Sequence, residues 1–306
     1  MSTVLKVENL SHRYASAWAI RDINFEITQS GVIGLLGSNG AGKSTTMNII
    51  CGVLNQTEGK VFINGIDKSG NPRLAKKQIG FLPQTPPLYT DFTVNEYLTY
   101  TAELRFIEKN KIKKSVADVM DRTGISHFSS RLIKNLSGGY RQRVGIAQAI
   151  IHKPSIVILD EPTNGLDPNQ IIEARKLIKE IAQDHTILLS SHVLSEINLL
   201  CRDIIMIEAG RMVFSDSMES FNNYIQPASL LVKMENPPTA SELLKIPGVT
   251  KVEFISDKQC RIFFSNETGI SEAIIAASMQ HNWKLQEINL EKSVLDDVFK
   301  QLSQQS

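Results

Sequence analysis

Eight consecutive residues, Gly37, Ser38, Asn39, Gly40, Ala41, Gly42, Lys43 and Ser44, satisfy the spacing GxxxxGK[ST]. They follow the apolar run Gly31–Leu36 directly and precede a helical run expected over Thr45–Cys51. A strand, a glycine-rich loop and a helix in that order suit a phosphate chain. Glycines let the loop fold tightly, so that successive backbone N–H groups and the helix N-terminus face phosphate oxygens. In that setting Lys43 reaches the β- and γ-phosphates, and the Ser44 hydroxyl serves Mg²⁺. A chance match in a chain this long is on the order of one per cent.

Two further segments carry chemistry. Ile156–Leu159 is an apolar strand that ends on Asp160 and Glu161. The first carboxylate is placed for a Mg²⁺ sphere and the second for polarising an attacking water. Between this strand and the loop lies Leu136, Ser137, Gly138, Gly139, Tyr140, Arg141, Gln142, Arg143, which opens a helix through Val144–Ile151 with Ser137 at its N-cap. A helix start of that kind is an anion site.

These residues need a scaffold. Over residues 1–215, short β-branched runs alternate with helical stretches, the pattern of a mostly parallel sheet covered by helices. Strands are expected at Ile20–Ile27, Gly31–Leu36, Val61–Ile63, Ile79–Leu82, Ser155–Leu159, Thr186–Ser190 and Ile204–Glu208. Val94–Ala149 reads as helical, with apolar periodicity in Glu96–Ile107 and Lys114–Arg122, so a helical subdomain is expected over about 85–150. The periodicity lapses around Asn222–Ala228. After it the order is strand Leu230–Met234, helix Ser241–Leu244, strands Val249–Ser256 and Gln259–Phe264, helix Ile270–Gln280, strand Lys284–Asn289 and a helix near Val294–Leu302. That β-α-β-β-α-β order is ferredoxin-like. The expected division is 1–222 and 228–306.

Composition fits a folded globular chain. Of its 306 residues 42% are hydrophobic and 21% charged, which excludes a disordered or fibrous polymer. With 33 Lys+Arg against 32 Asp+Glu the net charge is +1, so no global basic surplus exists to grip nucleic acid. No apolar run approaches the ~18 residues of a membrane span, and the N-terminus lacks a secretory pattern, so a cytoplasmic location is expected. Cys51, Cys201 and Cys260 are scattered without a CxxC pair and are expected to be idle thiols.

In this order, the phosphate loop, the Leu136–Tyr140 signature and the Leu159–Glu161 strand end resemble the nucleotide-binding subunit of ATP-binding cassette (ABC) transporters, over residues 3 to about 220. The resemblance implies an α/β P-loop NTPase fold with a mixed, largely parallel sheet and an inserted helical subdomain, followed here by the small α+β module. It implies ATP and Mg²⁺ as cofactors and ATP hydrolysis as the activity. Gln84 stands where the family has its Q-loop glutamine, serving Mg²⁺ and the water beside Ser44 and Asp160. Glu161 stands as general base and His192, in Leu189–His192, as the switch histidine that contacts the γ-phosphate. Tyr14 occupies the adenine-stacking position and Asp167, in Asn164–Asp167, the D-loop. The loop residues Gly37 to Ser44 with Thr45 hold phosphate, and Ser137, Gly138 and Gly139 contact ATP on the opposite subunit. Tyr140 departs from the usual glutamine, while Ser137 and Gly139 are intact.

The resemblance also implies a head-to-tail dimer around two ATP, as a homodimer or with a second cassette. Leu290–Phe299 is similar to the PSLEDVF ending of ABC-2 exporter cassettes. There Leu295, Asp297, Val298 and Phe299 agree, while Ser293, Val294 and Asp296 replace Pro, Ser and Glu. This implies a separate membrane permease, docked near Pro86–Tyr89 and Phe92–Glu96, and a peripheral position on the inner face of the cell membrane. The alternative is a soluble ABC ATPase working on ribosomes or DNA. Such relatives fuse two cassettes or insert a coiled coil, and neither feature is present in this sequence. A third reading gives the C-terminal module a regulatory or tethering role.

Overall fold

Alternating burial along Leu5–Tyr14 and Ala17–Ile27 makes these segments β1 and β2, a hairpin with one face toward the core. The elements that follow are β3 (Gly31–Leu36), α1 (Lys43–Ile50), β4 (Glu58–Ile63), β5 (Ile66–Asp67), α2 (Pro72–Lys77) and β6 (Ile79–Leu82). Helices α3 (Val94–Leu104), α4 (Lys109–Arg122) and α5 (Gly138–Ile150) come next, then β7 (Ile156–Leu159), α6 (Pro168–Ile181), β8 (Thr186–Ser191) and α7 (Leu194–Leu200). Strands β9 (Asp203–Glu208) and β10 (Arg211–Ser217) follow, and helix α8 (Met218–Tyr224) comes after them. A computed structural model describes residues 3–28, 30–224, 229–265 and 269–291. The chain divides into two units, Met1–Met218 and Glu219–Ser306.

The first unit holds two sheets. One has the order β10-β9-β3-β8-β7-β6, parallel except for β10. Its interior strands β7 and β8 are buried at every position, as parallel strands covered on both faces must be. The other is antiparallel, in the order β2-β1-β4-β5. Leu5, Val7, Ile23, Met47, Ile50, Val61, Ile156 and Leu188 share one core that reaches from one sheet to the other. A sequence reading of a mostly parallel sheet therefore holds for only one of the two. It passed over β1 because a bulge lies between Val7 and Leu10, and Asn9 takes φ 48° there, which breaks the two-residue period. Helix α2 escaped for another reason: it has six residues and buries only Ala75, too little for a 3.6-residue pattern. Helix α3 starts at a capping box in which Thr93 and Glu96 satisfy each other's backbone amides. Within the helical stretch, α5 packs so closely on β6 that a Cβ on Gly145 would lie 2.6 Å from Leu82 Cδ1.

The second unit contains β11 (Ser229–Met234), α9 (Ala240–Leu243), β12 (Val249–Ser256), β13 (Gln259–Phe264), α10 (Ile270–Gln280) and β14 (Leu285–Glu291). The sheet order is β12-β13-β11-β14 with every pair antiparallel, the ferredoxin-like topology. Leu230, Val232 and Met234, two residues apart, face Ile262, Ile274 and Trp283 in a separate core. The expected helix near Val294–Leu302, and the Leu290–Phe299 resemblance beyond Glu291, lie outside the described residues.

All three cysteines are free and buried, and burial raises each thiol's pKa, that of Cys260 to about 11. Among the described residues, no helix is long and apolar enough to cross a membrane.

Candidate nucleotide site

The loop Gly37–Gly42 leaves the end of β3 and enters α1. Gly42 is the N-cap of α1 with φ 107°, and a Cβ there would lie 2.4 Å from Ile20 Cγ2. The left-handed conformation and the crowding both demand glycine. At the other end a Cβ on Gly37 would meet the Ile207 carbonyl oxygen at 2.3 Å, so β9 lies directly against the loop. The same strand's last residue, Glu208, accepts hydrogen bonds from Ser38 Oγ at 2.9 Å and Ser38 N at 3.3 Å. Gly210 N donates to Ala41 O at 3.0 Å. Thus the end of β9 and the turn after it frame the loop, while Asn39 and Gly40 at its tip and Ser44 at the start of α1 are exposed.

Lys43 folds back over the loop, its Nζ donating to Gly37 O and Ser38 O, both at 2.9 Å. Only 5% of the residue is exposed. Burial lowers its pKa, and the carboxylates of Glu161, Asp160 and Glu208 oppose that shift. Glu161 Oε1 lies 4.0 Å from Lys43 Nζ. Glu161 is also where two other residues singled out from the sequence converge: His192 Nδ1 donates to its Oε1 at 3.1 Å, and Gln84 Nε2 to its Oε2 at 3.5 Å. The loops after β3, β6, β7 and β8 thereby meet at one carboxylate, outside the carboxyl ends of parallel strands. The backbone of Glu161 takes φ 46°, an unusual conformation for a non-glycine residue and one that clusters at functional sites.

Asp160 is nearly fully buried, and Ser190 Oγ donates to its Oδ1 at 2.5 Å. The same Ser190 oxygen accepts from Glu161 N at 2.8 Å. One hydroxyl therefore orients both members of the acidic pair. Asp160, the Ser44 hydroxyl and the Gln84 side-chain amide offer hard oxygen donors on the segments that follow β7, β3 and β6. Among the described residues no cluster of His, Cys, Asp and Glu could chelate a metal by itself. One carboxylate and a hydroxyl beside a phosphate cradle is the donor set that Mg²⁺ takes when substrate oxygens complete its shell. The residues present fit that ion.

The signature lies elsewhere. Ser137 is the N-cap of α5 in extended conformation, with no capping hydrogen bond from its side chain. Ser137 and Gly139 line a cavity with Tyr140, Leu166, Asp167 and Gln170, and no residue of the phosphate loop borders it. Gly138 opens the helix between them with open space at its Cα, whereas a Cβ on Gly139 would lie 2.8 Å from Gln170. Asp167 caps α6, its Oδ1 accepting from Gln170 N at 2.9 Å. Tyr140, the departure from the usual signature, packs edge-on against Phe128 with centroids 4.5 Å apart. Tyr14 ends β1, is 51% exposed, and packs edge-on against His12 at 4.7 Å. Of the residues read from the sequence, the structure thus gathers Lys43, Asp160, Glu161, Gln84 and His192, and sets Ser137, Gly139 and Asp167 apart.

Ser190 and Glu208 went unremarked in the sequence, as did Thr163 and Glu196, whose side chains bond at 2.8 Å. One signal was available for Ser190: two serines end the otherwise apolar buried run Ile187–Leu189, and buried hydroxyls require partners.

The ABC transporter family model matches residues 20–164. The bacitracin transport ATP-binding protein BcrA of Bacillus licheniformis is 37% identical over 215 residues, 70% of this chain and 69% of that protein. The ABC transporter ATP-binding protein NatA of Bacillus subtilis is 36% identical over 204 residues, 66% of this chain and 83% of that one. A solved structure of cbiO1 from Clostridium perfringens, part of the transporter complex cbiONQ, superposes with a TM-score of 0.66 at 29% identity, covering 73% of this chain and 92% of that chain. The chain belongs to the ABC transporter family, as one of its ATP-binding proteins.

Proposed function

We propose that this ATP-hydrolysing subunit works as a head-to-tail pair of cassettes that drives export through a separate ABC-2 type membrane permease. The observation that carries the reading is the split just described. One chain presents a phosphate loop with its acidic pair in one place and a signature helix start, its Ser137 side chain not spent on capping, in another. Two copies related by a two-fold axis place each signature against the partner's loop, and both half-sites are built from intact residues, which favours a homodimer.

The roles carry over from the family resemblance, and the geometry around Glu161 supports them. Tyr14, half exposed at the end of a hairpin, stacks on adenine. The amides from Gly37 to Thr45, with Lys43, hold the phosphates. Ser44, Asp160 and Gln84 hold Mg²⁺, which when bound neutralises charge on the β- and γ-phosphate oxygens. Glu161, held by Ser190 through its amide and by His192 and Gln84 through its carboxylate, orients the attacking water and takes its proton. His192 uses Nδ1 on Glu161, and its Nε2 reaches the γ-phosphate as a donor only in the imidazolium form, in which both ring nitrogens carry a proton. Ser137, Gly138, Gly139 and Asp167 contact the ATP held by the partner. Closure draws on attraction between two helix N-termini and the γ-phosphate, and cleavage with phosphate loss removes it, which reopens the pair.

The permease docks on the face around Pro86–Glu96. Tyr89, Phe92 and Tyr100 are 55%, 37% and 36% exposed there and pack on one another at 5.6 to 6.1 Å. Aromatic rings grouped at a surface mark an interaction site. The pair then lies on the inner face of the cell membrane.

Glu161→Gln tests the motor. It should retain ATP, collect as a dimer on gel filtration with ATP, and lose turnover. Wild-type turnover, or a monomer at saturating ATP, refutes the assignment. For the permease, the chain recovered from native membranes in mild detergent should carry a protein with several long apolar spans in comparable amount. Recovery only with ribosomes, with DNA or alone refutes transport.

A further inference from the structure

Behind the contact between Glu161 and His192 lies a second carboxylate. Glu196, in the first turn of α7, accepts from Thr163 Oγ1 at 2.8 Å and from Ser191 Oγ at 3.1 Å through the same oxygen, Oε2. Its other oxygen lies 3.5 Å from Arg175 NH2 of α6. The side chain of Glu196 is 12% exposed. Thr163 stands two residues after Glu161, and Ser191 immediately precedes His192. The hydrogen bonds therefore close a ring: Glu161 to Thr163 along the chain, Thr163 to Glu196, Glu196 to Ser191, Ser191 to His192 along the chain, and His192 back to Glu161 at 3.1 Å. Ser191 Oγ also accepts from Val193 N at 3.0 Å, which ties the far side of His192 into the same ring.

We infer that Glu196 is a positioning residue for hydrolysis: it holds the loops after β7 and β8 at the separation that keeps His192 on Glu161. The inference rests on the roles given above to Glu161 and His192. Its physical basis is the geometry of a shared acceptor. A carboxylate that takes two hydroxyl protons on one oxygen fixes both donors relative to each other, and charge-assisted bonds of this kind are stronger than neutral ones. Arg175 adds a third tether, from the helix that the D-loop Asp167 caps, so one side chain joins the switch-histidine loop, the segment after Glu161 and α6. Within the ring Glu161 alone reaches the phosphate loop, at 4.0 Å from Lys43 Nζ, whereas Glu196 bonds Thr163, Ser191 and Arg175, so loss of Glu196 should leave binding of ATP in place.

The experiment uses the full chain with ATPase turnover and the KM for ATP as readouts. Glu196→Ala should lower kcat about 10- to 100-fold, the cost of small misplacements of reacting groups, with KM within about twofold of wild type. Glu196→Gln keeps one acceptor oxygen for Thr163 and Ser191 and should recover most of that loss. A purely structural residue would instead move KM and kcat together, or spare both, and either result overturns the inference. If Glu196→Ala does not fold, the double variant Thr163→Val with Ser191→Ala removes both loop donors while retaining the pair of Glu196 with Arg175. It should show the same fall in kcat, and wild-type turnover in it overturns the inference equally. Parallel measurements on Glu161→Gln and His192→Ala separate the two levels. Wild-type turnover in those variants would refute the underlying roles, whereas their loss together with an intact Glu196→Ala would refute only the ring.

Discussion

Ser190→Ala is the substitution whose cost can be worked most directly from the geometry. Ser190 is fully buried, and its hydroxyl makes two bonds: it donates to Asp160 Oδ1 at 2.5 Å and accepts from Glu161 N at 2.8 Å. Alanine fits the space, so no steric term enters. The first loss is a hydrogen bond to a buried carboxylate, about 1.5–3 kcal/mol, and the second leaves a backbone N–H without its partner, about 1–3 kcal/mol. Release of Glu161 from its left-handed φ returns about 1 kcal/mol. The expected net destabilisation is about 3 kcal/mol, which in a unit of 218 residues corresponds to a fall in Tm of about 6–12 °C. Thermal unfolding should be followed without nucleotide, because a ligand that binds only the folded state masks the difference. Ser190→Thr keeps the hydroxyl and should restore most of the loss. A shift under about 3 °C for Ser190→Ala would show that the acidic pair is held by something else, and would refute the reasoning.

Two further outcomes are expected. Tyr14→Ala should raise the KM for ATP about 5- to 150-fold, since stacking of a base on an aromatic ring is worth about 1–3 kcal/mol, while kcat stays near wild type and Tyr14→Trp binds normally. An unchanged KM in Tyr14→Ala would remove the tyrosine from the adenine site. His152 adds a pH effect. Burial, helped by the Arg105 guanidinium, lowers its pKa from 6.5 to about 4, so the unfolded chain takes up a proton that the folded chain refuses. Its contribution is intact above pH 6.5 and declines as the pH falls toward 4, by about 2 kcal/mol at pH 5. Urea unfolding at pH 7.5 and pH 5 should show a smaller difference in His152→Gln than in wild type, and an equal difference would exclude the imidazole as the cause.

Residues that act through local chain order were legible and those that act across the fold were not. The loop from Gly37 to Ser44 declares itself because strand, turn and helix are contiguous, and the ferredoxin-like order of the second unit is written in alternating pairs such as Leu230, Val232 and Met234. Glu208 and Ser38 meet across 170 residues, and Glu196 and Thr163 across 33, with nothing in either local pattern to announce the contact. The pairing of Glu161 with His192 could be reached only through resemblance, because strand order, not spacing, brings β7 and β8 side by side. β1 was hidden by its bulge, a local irregularity that cancels the very period by which a strand is recognised.

The clamp on the phosphate loop has a consequence for how the site comes into being. Residues 37–44 leave the ribosome early, yet Ile207 O, Glu208 and Gly210 N, which set the loop's shape, belong to the last strand pair of the first unit. During synthesis the loop therefore waits for almost the whole of that unit, because contacts of long sequence separation form only after the intervening chain exists. A nascent chain halted before residue 203 has the full nucleotide-binding motif and none of the strand that frames it. Competence to hold nucleotide is thus a report that the cassette has been made to its end.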